Sequence, residues 1–183
     1  MTSFYTEKEL AELGLKKYGK NVLISRKCSI YSPEKISICD NVRIDDFCIL
    51  SGDITLGSNI HIAAYCALYG AFGIEMEDYS GLSPRCTVFS ATDDFSGNFL
   101  LGPNIPKEKT NVTGGKVWFK KFANIGANCV ILPNVILNEG VAVGAMSLIN
   151  KNLQEWSIYA GIPVKRYTER EKGLLNLLQN DEK

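Results

Sequence analysis

The chain has 183 residues, of which 45% are hydrophobic, so it can build the core of one main domain. Its 20 basic residues balance 20 acidic residues, which argues against a nucleic-acid partner. No apolar run is long enough to span a bilayer, and MTSFYTEKEL lacks the apolar core of a signal peptide, so we expect a cytoplasmic protein.

The N-terminal segment, residues 1–21, predicts a short helix. Thr6 and Glu9 have the spacing of a capping box, in which each side chain accepts a hydrogen bond from the other residue's backbone N–H. Leu10 and Leu13 follow as an apolar face. We therefore expect this helix to begin just after Thr6.

A branched aliphatic residue returns at every sixth position over most of residues 22–167. A helix repeats at about 3.6 residues and a half-buried strand at about 2, so a period of six indicates coils of short strands and corners. A second inward position, four residues later, holds residues such as Cys48 and Phe72. We predict roughly five to six stacked coils around an aliphatic core, with Gly57, Gly126 and Gly144 at corners. The aliphatic positions include Ile38, Ile44, Leu50, Leu56, Ile62, Leu68, Leu82, Val88, Ile125, Ile131, Leu137, Val143 and Ile149.

The chain has one histidine, His61, between the inward positions Ile60 and Ile62. Because side chains alternate along a strand, His61 faces outward. It is therefore either a solvated side chain or part of a cleft. An imidazole suits general-base chemistry near neutral pH.

A long segment, the loop of residues 89–116, interrupts the repeat. Structureless insertions longer than about 12–15 residues are uncommon in compact domains and are usually functional. The alternative is a solvated excursion without a role. Beyond the repeat, residues 168–183 predict a C-terminal helix, since Leu174, Leu175, Leu177 and Leu178 cluster there.

The chain has six cysteines, an even number that allows a disulfide framework. Five of them, however, occupy the second inward position of the hexad, which favours small apolar side chains. We therefore predict free thiols that pack in the core, and the absence of a CxxC pair argues against a zinc site. The five are Cys28, Cys48, Cys66, Cys86 and Cys129; Cys39 stands at a corner.

The hexad pattern resembles that of the left-handed parallel β-helix acyltransferases, over roughly residues 22–167. The resemblance implies an all-β fold of triangular coils, with three hexads in each coil, and a homotrimer. The left hand is a property of that family and does not follow from the spacing, since parallel crossovers are ordinarily right-handed.

The segments HIAAY and SATDDFSG resemble sugar O-acetyltransferases of capsule and lipopolysaccharide biosynthesis. This resemblance implies transfer of an acetyl group from acetyl-CoA to a sugar hydroxyl, with His61 as the general base. Galactoside and maltose acetyltransferases carry their catalytic histidine where this chain has Asp93. Asp93 and Asp94 are then expected to orient His61, to bind the acceptor or to act as base, the last of which requires a raised pKa. Since Asp93 and His61 belong to different faces, we expect subunits to share the site.

The segments GAMSLINK and YAGIPVKR resemble those that line the CoA groove of the same family. The resemblance implies that Ala145 faces the pantetheine arm and that Lys151, Lys165 and Arg166 contact the CoA phosphates. A backbone N–H of the segment Gly126–Ala127 is expected to stabilise the oxyanion.

Three other functions are alternatives to sugar O-acetylation. N-acetylation of a nucleotide-linked amino sugar is the second candidate, since the sequence does not name the acceptor. A metal-dependent carbonic anhydrase uses several histidines for each zinc. Because this chain has one histidine, we expect neither that activity nor a bound metal. A non-enzymatic binding protein is disfavoured by the long loop and the GIPVKR segment.

Overall fold

A computed structural model describes residues 3–180, which wind into a left-handed parallel β-helix of about seven turns. The predicted all-β fold with two short helices and one long loop is confirmed, with more coils than the five to six expected. Helix α1 spans Glu7–Glu12 and helix α2 spans Leu174–Asn180. The strands are β1 Lys17–Tyr18, β2 Leu23–Ile24, β3 Ser29–Tyr31, β4 Ile36–Ile38, β5 Val42–Ile44, β6 Ile49–Leu56, β7 Ile60–Ile62, β8 Ala67–Met76, β9 Gly81–Leu82, β10 Thr87–Phe89, β11 Ala91–Asp93, β12 Val112–Gly114, β13 Val117–Phe119, β14 Asn124–Ile125, β15 Val130–Ile131, β16 Ile136–Leu137, β17 Ala142–Val143, β18 Leu148–Ile149, β19 Ser157–Ala160 and β20 Lys165–Glu169.

The strands stack into three faces. One is an eight-stranded face with the order β2-β5-β7-β9-β14-β17-β19-β20, parallel except between β19 and β20. The other two faces join into one sheet because β6 and β8 continue through a corner, where Gly52 lies opposite Gly70. A Cβ on Gly52, whose φ is +90°, would lie 2.7 Å from the Gly70 backbone, so only glycine fits this bend.

The aliphatic positions form the core. Ile44 pairs with Ile62 and Ile125 pairs with Val143, so equivalent positions of successive coils stack as ladders. These side chains are buried, and each contributes about 1.5–3 kcal/mol of hydrophobic stabilisation. The predicted inward orientation of the six-residue repeat is thus confirmed.

Phe72 was predicted to point inward, and this prediction is wrong, since Phe72 is 48% exposed. Two extra residues separate Leu68 from Met76, and the chain bulges outward at Gly73, where φ is +96°. Ile74 takes the inward place and is buried.

The corners turn at a different residue from the one predicted. The residue with positive φ comes three places after the aliphatic position, as at Asn59 (+59°) and Tyr65 (+64°). Gly57 and Gly126 are required for another reason, namely the close approach of the next coil. A Cβ on Gly126 would lie 2.6 Å from the backbone nitrogen of Ala145.

All six cysteines are free, as predicted. Four are fully buried, whereas Cys28 in the first coils is half-buried. Their thiols donate to carbonyls of the next coil, as Cys48 does to Ala63 at 3.2 Å and Cys86 does to Gly126 at 3.1 Å. These thiols therefore serve packing and corner hydrogen bonding.

The predicted capping box begins helix α1. The Glu9 carboxylate accepts from the Thr6 N–H at 2.7 Å, and the Thr6 hydroxyl accepts from the Glu9 N–H at 3.4 Å. Within residues 3–180, no helix has the length and apolar character that crossing a membrane requires.

The predicted start of the C-terminal helix at Thr168 is wrong. Thr168 lies in β20, which pairs antiparallel with β19 and supplies hydrogen bonds to the last coil, and the helix begins at Leu174. Between them, Arg170 donates hydrogen bonds to the carbonyls of Phe122 and Gly140 at 2.9 and 3.1 Å. The segment after the repeat thus closes the end of the β-helix before it turns into a helix.

Candidate active site

A groove of about 710 Å³ crosses the eight-stranded face over β7, β9 and β14. In register, His61 lies beside Gly81, and Gly81 lies beside Asn124. A Cβ on Gly81 would lie 3.1 Å from the Asn124 Oδ1 and 3.2 Å from the His61 carbonyl. The missing side chain of Gly81 therefore leaves the outer surface next to His61 open.

The His61 side chain faces outward from β7, as predicted, and is 55% exposed. Its Nε2 lies 2.7 Å from the Oδ2 of Asp45, a residue of the preceding coil. In the neutral tautomer with hydrogen on Nε2, that N–H donates to the carboxylate and leaves Nδ1 as a proton acceptor. This pair has the arrangement of a base and its orienting acid.

Asp45 is held ionised by its surroundings. Partial burial by itself raises its pKa, but hydrogen bonds from His61 and Arg43 outweigh this effect, and the pKa of Asp45 is lowered overall. Arg43 Nε donates to the other carboxylate oxygen at 2.7 Å. A carboxylate anchored on both sides fixes the position of the imidazole.

Asp45 was not predicted from the sequence, which indicated a loop aspartate in its place. A signal for it existed, because the coil period places Arg43 beside His61, as the structure shows, and Asp45 follows two residues later. Ser83, which also lines the groove, was missed as well. Ser83 follows the inward Leu82 just as Ser51 follows the inward Leu50, so its position alone carried no signal.

Asp93 and Asp94 lie in the long loop, whose two ends pair as the antiparallel hairpin of β11 and β12. Asp93 lines an apolar cavity of about 440 Å³ together with Phe89, Phe95 and Leu132. This cavity shares no lining residue with the groove of His61. Within one chain, therefore, the structure does not bring Asp93 and His61 together.

The two aspartates differ in their surroundings. Asp94 accepts hydrogen bonds from the Ser96 N–H and the Asn111 side chain, both at 2.8 Å. Bonds from Ser96 and Asn111 lower the pKa of Asp94, opposite to the shift a base would need. Asp93 makes no ion pair within residues 3–180. Asp93 is therefore the aspartate with a carboxylate available to a ligand.

The small residues predicted for the donor lie together at one corner. Gly126 lines the groove, and Ala145 of the next coil packs directly beside it. The Gly126 N–H donates to the Val143 carbonyl at 2.8 Å, so it is not available to an oxyanion. The Ala127 N–H has no acceptor in the part of the chain the structure describes, and it is the donor that remains.

The three residues predicted to contact the CoA phosphates, Lys151, Lys165 and Arg166, do not line the groove of His61. Lys151 and Lys165 are exposed and make no ion pair within residues 3–180. Arg166 donates from Nε to the Ser157 hydroxyl at 3.1 Å and lies 3.5 Å from Glu169. Arg166 therefore has protein partners, whereas the two lysines are free to meet an anion.

The part of the chain from residue 3 to residue 180 contains no group of three or more His, Cys, Asp or Glu side chains that could hold a metal ion.

Comparison with known proteins identifies the family. The chain is 40% identical over 178 residues to an Escherichia coli protein named dTDP-4-amino-4,6-dideoxy-D-glucose acyltransferase, covering 96% of this chain and 93% of that one. It is 26% identical over 147 residues to WbbJ of Escherichia coli K12, a putative lipopolysaccharide biosynthesis O-acetyl transferase, covering 75% of this chain and 63% of that one.

Among solved structures, the chain is similar to AntD, an N-acyltransferase from Bacillus cereus in complex with dTDP and 3-hydroxybutyryl-CoA. The TM-score is 0.96 and the identity 54%, over 99% of this chain and 97% of AntD. A variant of AntD was solved with dTDP-4-amino-4,6-dideoxyglucose and coenzyme A. No protein-family model matches the chain. On the full-length likeness to these relatives, the chain belongs to the hexapeptide-repeat, left-handed β-helix family of sugar acyltransferases.

Proposed function

We propose that the chain is an N-acyltransferase that moves an acyl group from acyl-CoA to the amino group of a dTDP-linked 4-amino-4,6-dideoxy sugar. The observation that carries this proposal is the full-length likeness to two proteins that are named for, or bound to, that acceptor. O-acetylation in polysaccharide biosynthesis, the first expectation, has weaker support, since the O-acetyl transferase among these relatives is less similar.

The surroundings of Asp93 support an amine acceptor over a hydroxyl. An amino sugar carries a positive charge when protonated, and an unpaired carboxylate attracts that charge. Most of the other walls of its cavity, among them Phe89, Phe95 and Leu132, are apolar and suit a deoxy sugar with a methyl group. Asp93 then binds and orients the acceptor, while Asp94 holds the loop in shape.

In the reaction we propose, His61 is the general base and Asp45 its positioning residue. The ammonium first loses one proton to water and becomes a neutral amine. Its nitrogen then attacks the thioester carbonyl carbon, the new N–C bond forms and the C–S bond breaks. His61 takes the second proton that the nitrogen loses and passes it to the departing thiolate of CoA. The Ala127 N–H donates to the oxyanion of the intermediate.

The donor is proposed to lie along the corner after His61. Gly126 and Ala145 have no side chain beyond Cβ there, so an extended pantetheine arm can lie against the coil. Lys151 and Lys165 are exposed cations near the end of the β-helix, where the phosphates of CoA would extend. We propose acetyl-CoA as a donor, and the assay below compares it with 3-hydroxybutyryl-CoA, which carries a longer acyl group.

The separation of Asp93 from His61 within one chain supports a homotrimer. In a symmetric trimer, the loop of one subunit can cover the groove of the next and bring the two residues to one substrate. Each site then needs two subunits.

The test is an assay of the purified chain with acetyl-CoA or 3-hydroxybutyryl-CoA as donor. The acceptors are dTDP-4-amino-4,6-dideoxyglucose and its counterpart with a hydroxyl at C4. We expect release of free CoA thiol and an acylated product, identified by mass spectrometry, with the amine only. Acylation of the hydroxyl sugar but not of the amine would favour O-acetylation and overturn the proposal.

A further inference from the structure

A row of aromatic and cationic side chains, which we call the corner ladder, runs along one corner of the β-helix. It consists of Lys27, Phe47, Tyr65 and Arg85, one from each of four successive coils. The rings of Phe47 and Tyr65 are stacked at 5.0 Å, with an interplanar angle of 21°. Arg85 lies over the Tyr65 ring at 5.7 Å, and Lys27 lies over the Phe47 ring at 5.2 Å.

The corner ladder uses bulky residues where the backbone favours others. Phe47, Tyr65 and Arg85 have φ values of +62°, +64° and +63°. At a neighbouring corner the same turn position holds Asn41 and Asn59 in the first coils, which tolerate this conformation and bond each other at 3.2 Å, and aromatic residues in the later coils. Positive φ is therefore common to the corners of this β-helix, and exposure distinguishes the corner ladder, because Phe122 and Trp156 at the neighbouring corner are only 5% and 8% exposed.

The corner ladder also remains accessible and positively charged. Phe47 and Tyr65 are 47% and 53% exposed. Lys27 is paired with Asp46 at 2.8 Å, whereas Arg85 forms no ion pair within residues 3–180. Stacked rings beside an unpaired guanidinium form a surface that suits a flat base linked to phosphates.

The corner ladder adjoins the groove of His61. Ala64 and Pro84 line the groove, and the next residues along the chain are Tyr65 and Arg85. The Tyr65 N–H donates to the Asp46 carbonyl at 3.0 Å, which ties successive corners and holds the rings in place. A ligand that enters the groove can therefore extend onto the corner ladder.

From this geometry we infer that the corner ladder binds the nucleoside diphosphate of the acceptor, with the base on Tyr65 and Phe47 and the diphosphate at Arg85. This inference rests on the proposed function. The ADP portion of CoA is also a flat base linked to a diphosphate, so it has the same chemistry. However, the small residues proposed for the donor, Gly126 and Ala145, lie in later coils than the corner ladder, in which Lys27 and Phe47 precede His61, Tyr65 shares its coil and Arg85 lies one coil later.

The experiment measures the binding of dTDP and of CoA separately, by calorimetry, to the full chain and its variants. Tyr65→Asn removes the ring but keeps a residue that tolerates positive φ, and Arg85→Gln removes the charge. We expect each variant to weaken dTDP binding about tenfold, while CoA binding stays within about twofold. Tyr18→Ala and Lys35→Gln, an exposed ring and an exposed charge in other parts of the chain, are matched controls and should change neither.

Three results would overturn the inference. Loss of CoA binding with intact dTDP binding would assign the corner ladder to the donor. Unchanged binding of both ligands, with dissociation of an oligomer seen by light scattering, would assign it to a subunit contact; unchanged binding without dissociation would remove its role. Failure of the proposed function differs: the unmodified chain would then not bind dTDP, and the same variants tested with UDP and GDP would decide whether the corner ladder binds another nucleotide. If the unmodified chain binds none of the three nucleotides, both proposals fail.

Discussion

Asp45 of one coil and His61 of the next form a hydrogen-bonded pair at 2.7 Å on the open face of the β-helix. The pair arises from the coil repeat, since β5 and β7 stack in register and their outward residues become neighbours. Arg43 donates to the other oxygen of the carboxylate, which keeps Asp45 oriented towards the imidazole.

The first prediction concerns this pair. His61→Ala is expected to lower kcat by about 10²–10⁴ because it removes the proposed general base. Asp45→Asn is expected to lower kcat by roughly tenfold or more, since an amide can stabilise the wrong tautomer. Steady-state kinetics over a pH range checks both. Because the pKa of Asp45 is lowered, the carboxylate is ionised throughout the neutral range, and its own titration should not appear there.

Asn59→Gly is a suitable control for these variants, since Asn59 lines the same groove, its hydrogen bond is to Asn41 and glycine accepts its positive φ. If Asp45→Asn retained full turnover and an unchanged pH profile, the pair would be structural only.

The second prediction separates the two loop aspartates. Asp93→Asn is expected to raise the KM for the amino sugar and to leave CoA binding unchanged, because it removes the charge that meets the ammonium. Asp94→Asn is expected to have a smaller effect on KM, since an amide oxygen can still accept from Ser96 and Asn111. Kinetics with each substrate varied in turn distinguishes them. A catalytically dead Asp93→Asn variant beside an active His61→Ala variant would place the base in the loop.

The sequence was sufficient for the aliphatic ladders because the six-residue period is a property of single positions. Ile125 and Val143 are inward wherever the coil is regular. Phe72 was misplaced because a bulge at Gly73 changes the register locally; the spacing from Leu68 to Met76 shows two extra residues but not where they bulge. The Asp45–His61 contact was not predicted because it depends on which outward side chains of neighbouring coils come into contact. The six-residue period alone does not determine this.

The third prediction concerns the donor phosphates. Lys151→Gln and Lys165→Gln are each expected to weaken CoA binding severalfold, since both lysines are exposed and lack ion-pair partners in the described part of the chain. Arg166→Gln is expected to change it less, because Arg166 is held by Ser157 and Glu169. Calorimetry with CoA and with dephospho-CoA checks this ranking. A large effect of Arg166 with none from the lysines would contradict it.

The fourth prediction concerns acid stability. Backbone and side-chain hydrogen bonds with Thr6 lower the pKa of Glu9 from 4.5 to about 2. A lowered pKa means that the ionised carboxylate stabilises the fold above about pH 4.5, and that this contribution is lost as the pH falls towards 2. Glu9→Gln should therefore lower the thermal midpoint at pH 6 and have no effect near pH 2. Glu12→Gln, in the same helix outside the capping box, is the control, and a pH-independent difference for Glu9→Gln would contradict the prediction.

The fifth prediction tests whether two subunits share each site. At an acceptor concentration well below the KM of Asp93→Asn, His61→Ala and Asp93→Asn are each expected to yield trimers of low activity. If the two variants are unfolded, mixed in equal amounts and refolded, subunits should combine at random. About a quarter of the shared sites then receive an intact His61 from one subunit and an intact Asp93 from the next. Activity should therefore recover to about a quarter of that of the refolded unmodified chain.

Mixing folded variants without unfolding is the control for this experiment, because intact trimers exchange no subunits and should stay inactive. A His61→Ala, Asp93→Asn double variant mixed with either single variant is the second control, since no site in such a mixture can receive both intact residues. No recovery after refolding, together with a monomer in light scattering, would place the whole site in one chain. The loop would then have to close over the chain's own groove, and Asp93 would have to leave the cavity it shares with Phe89 and Phe95.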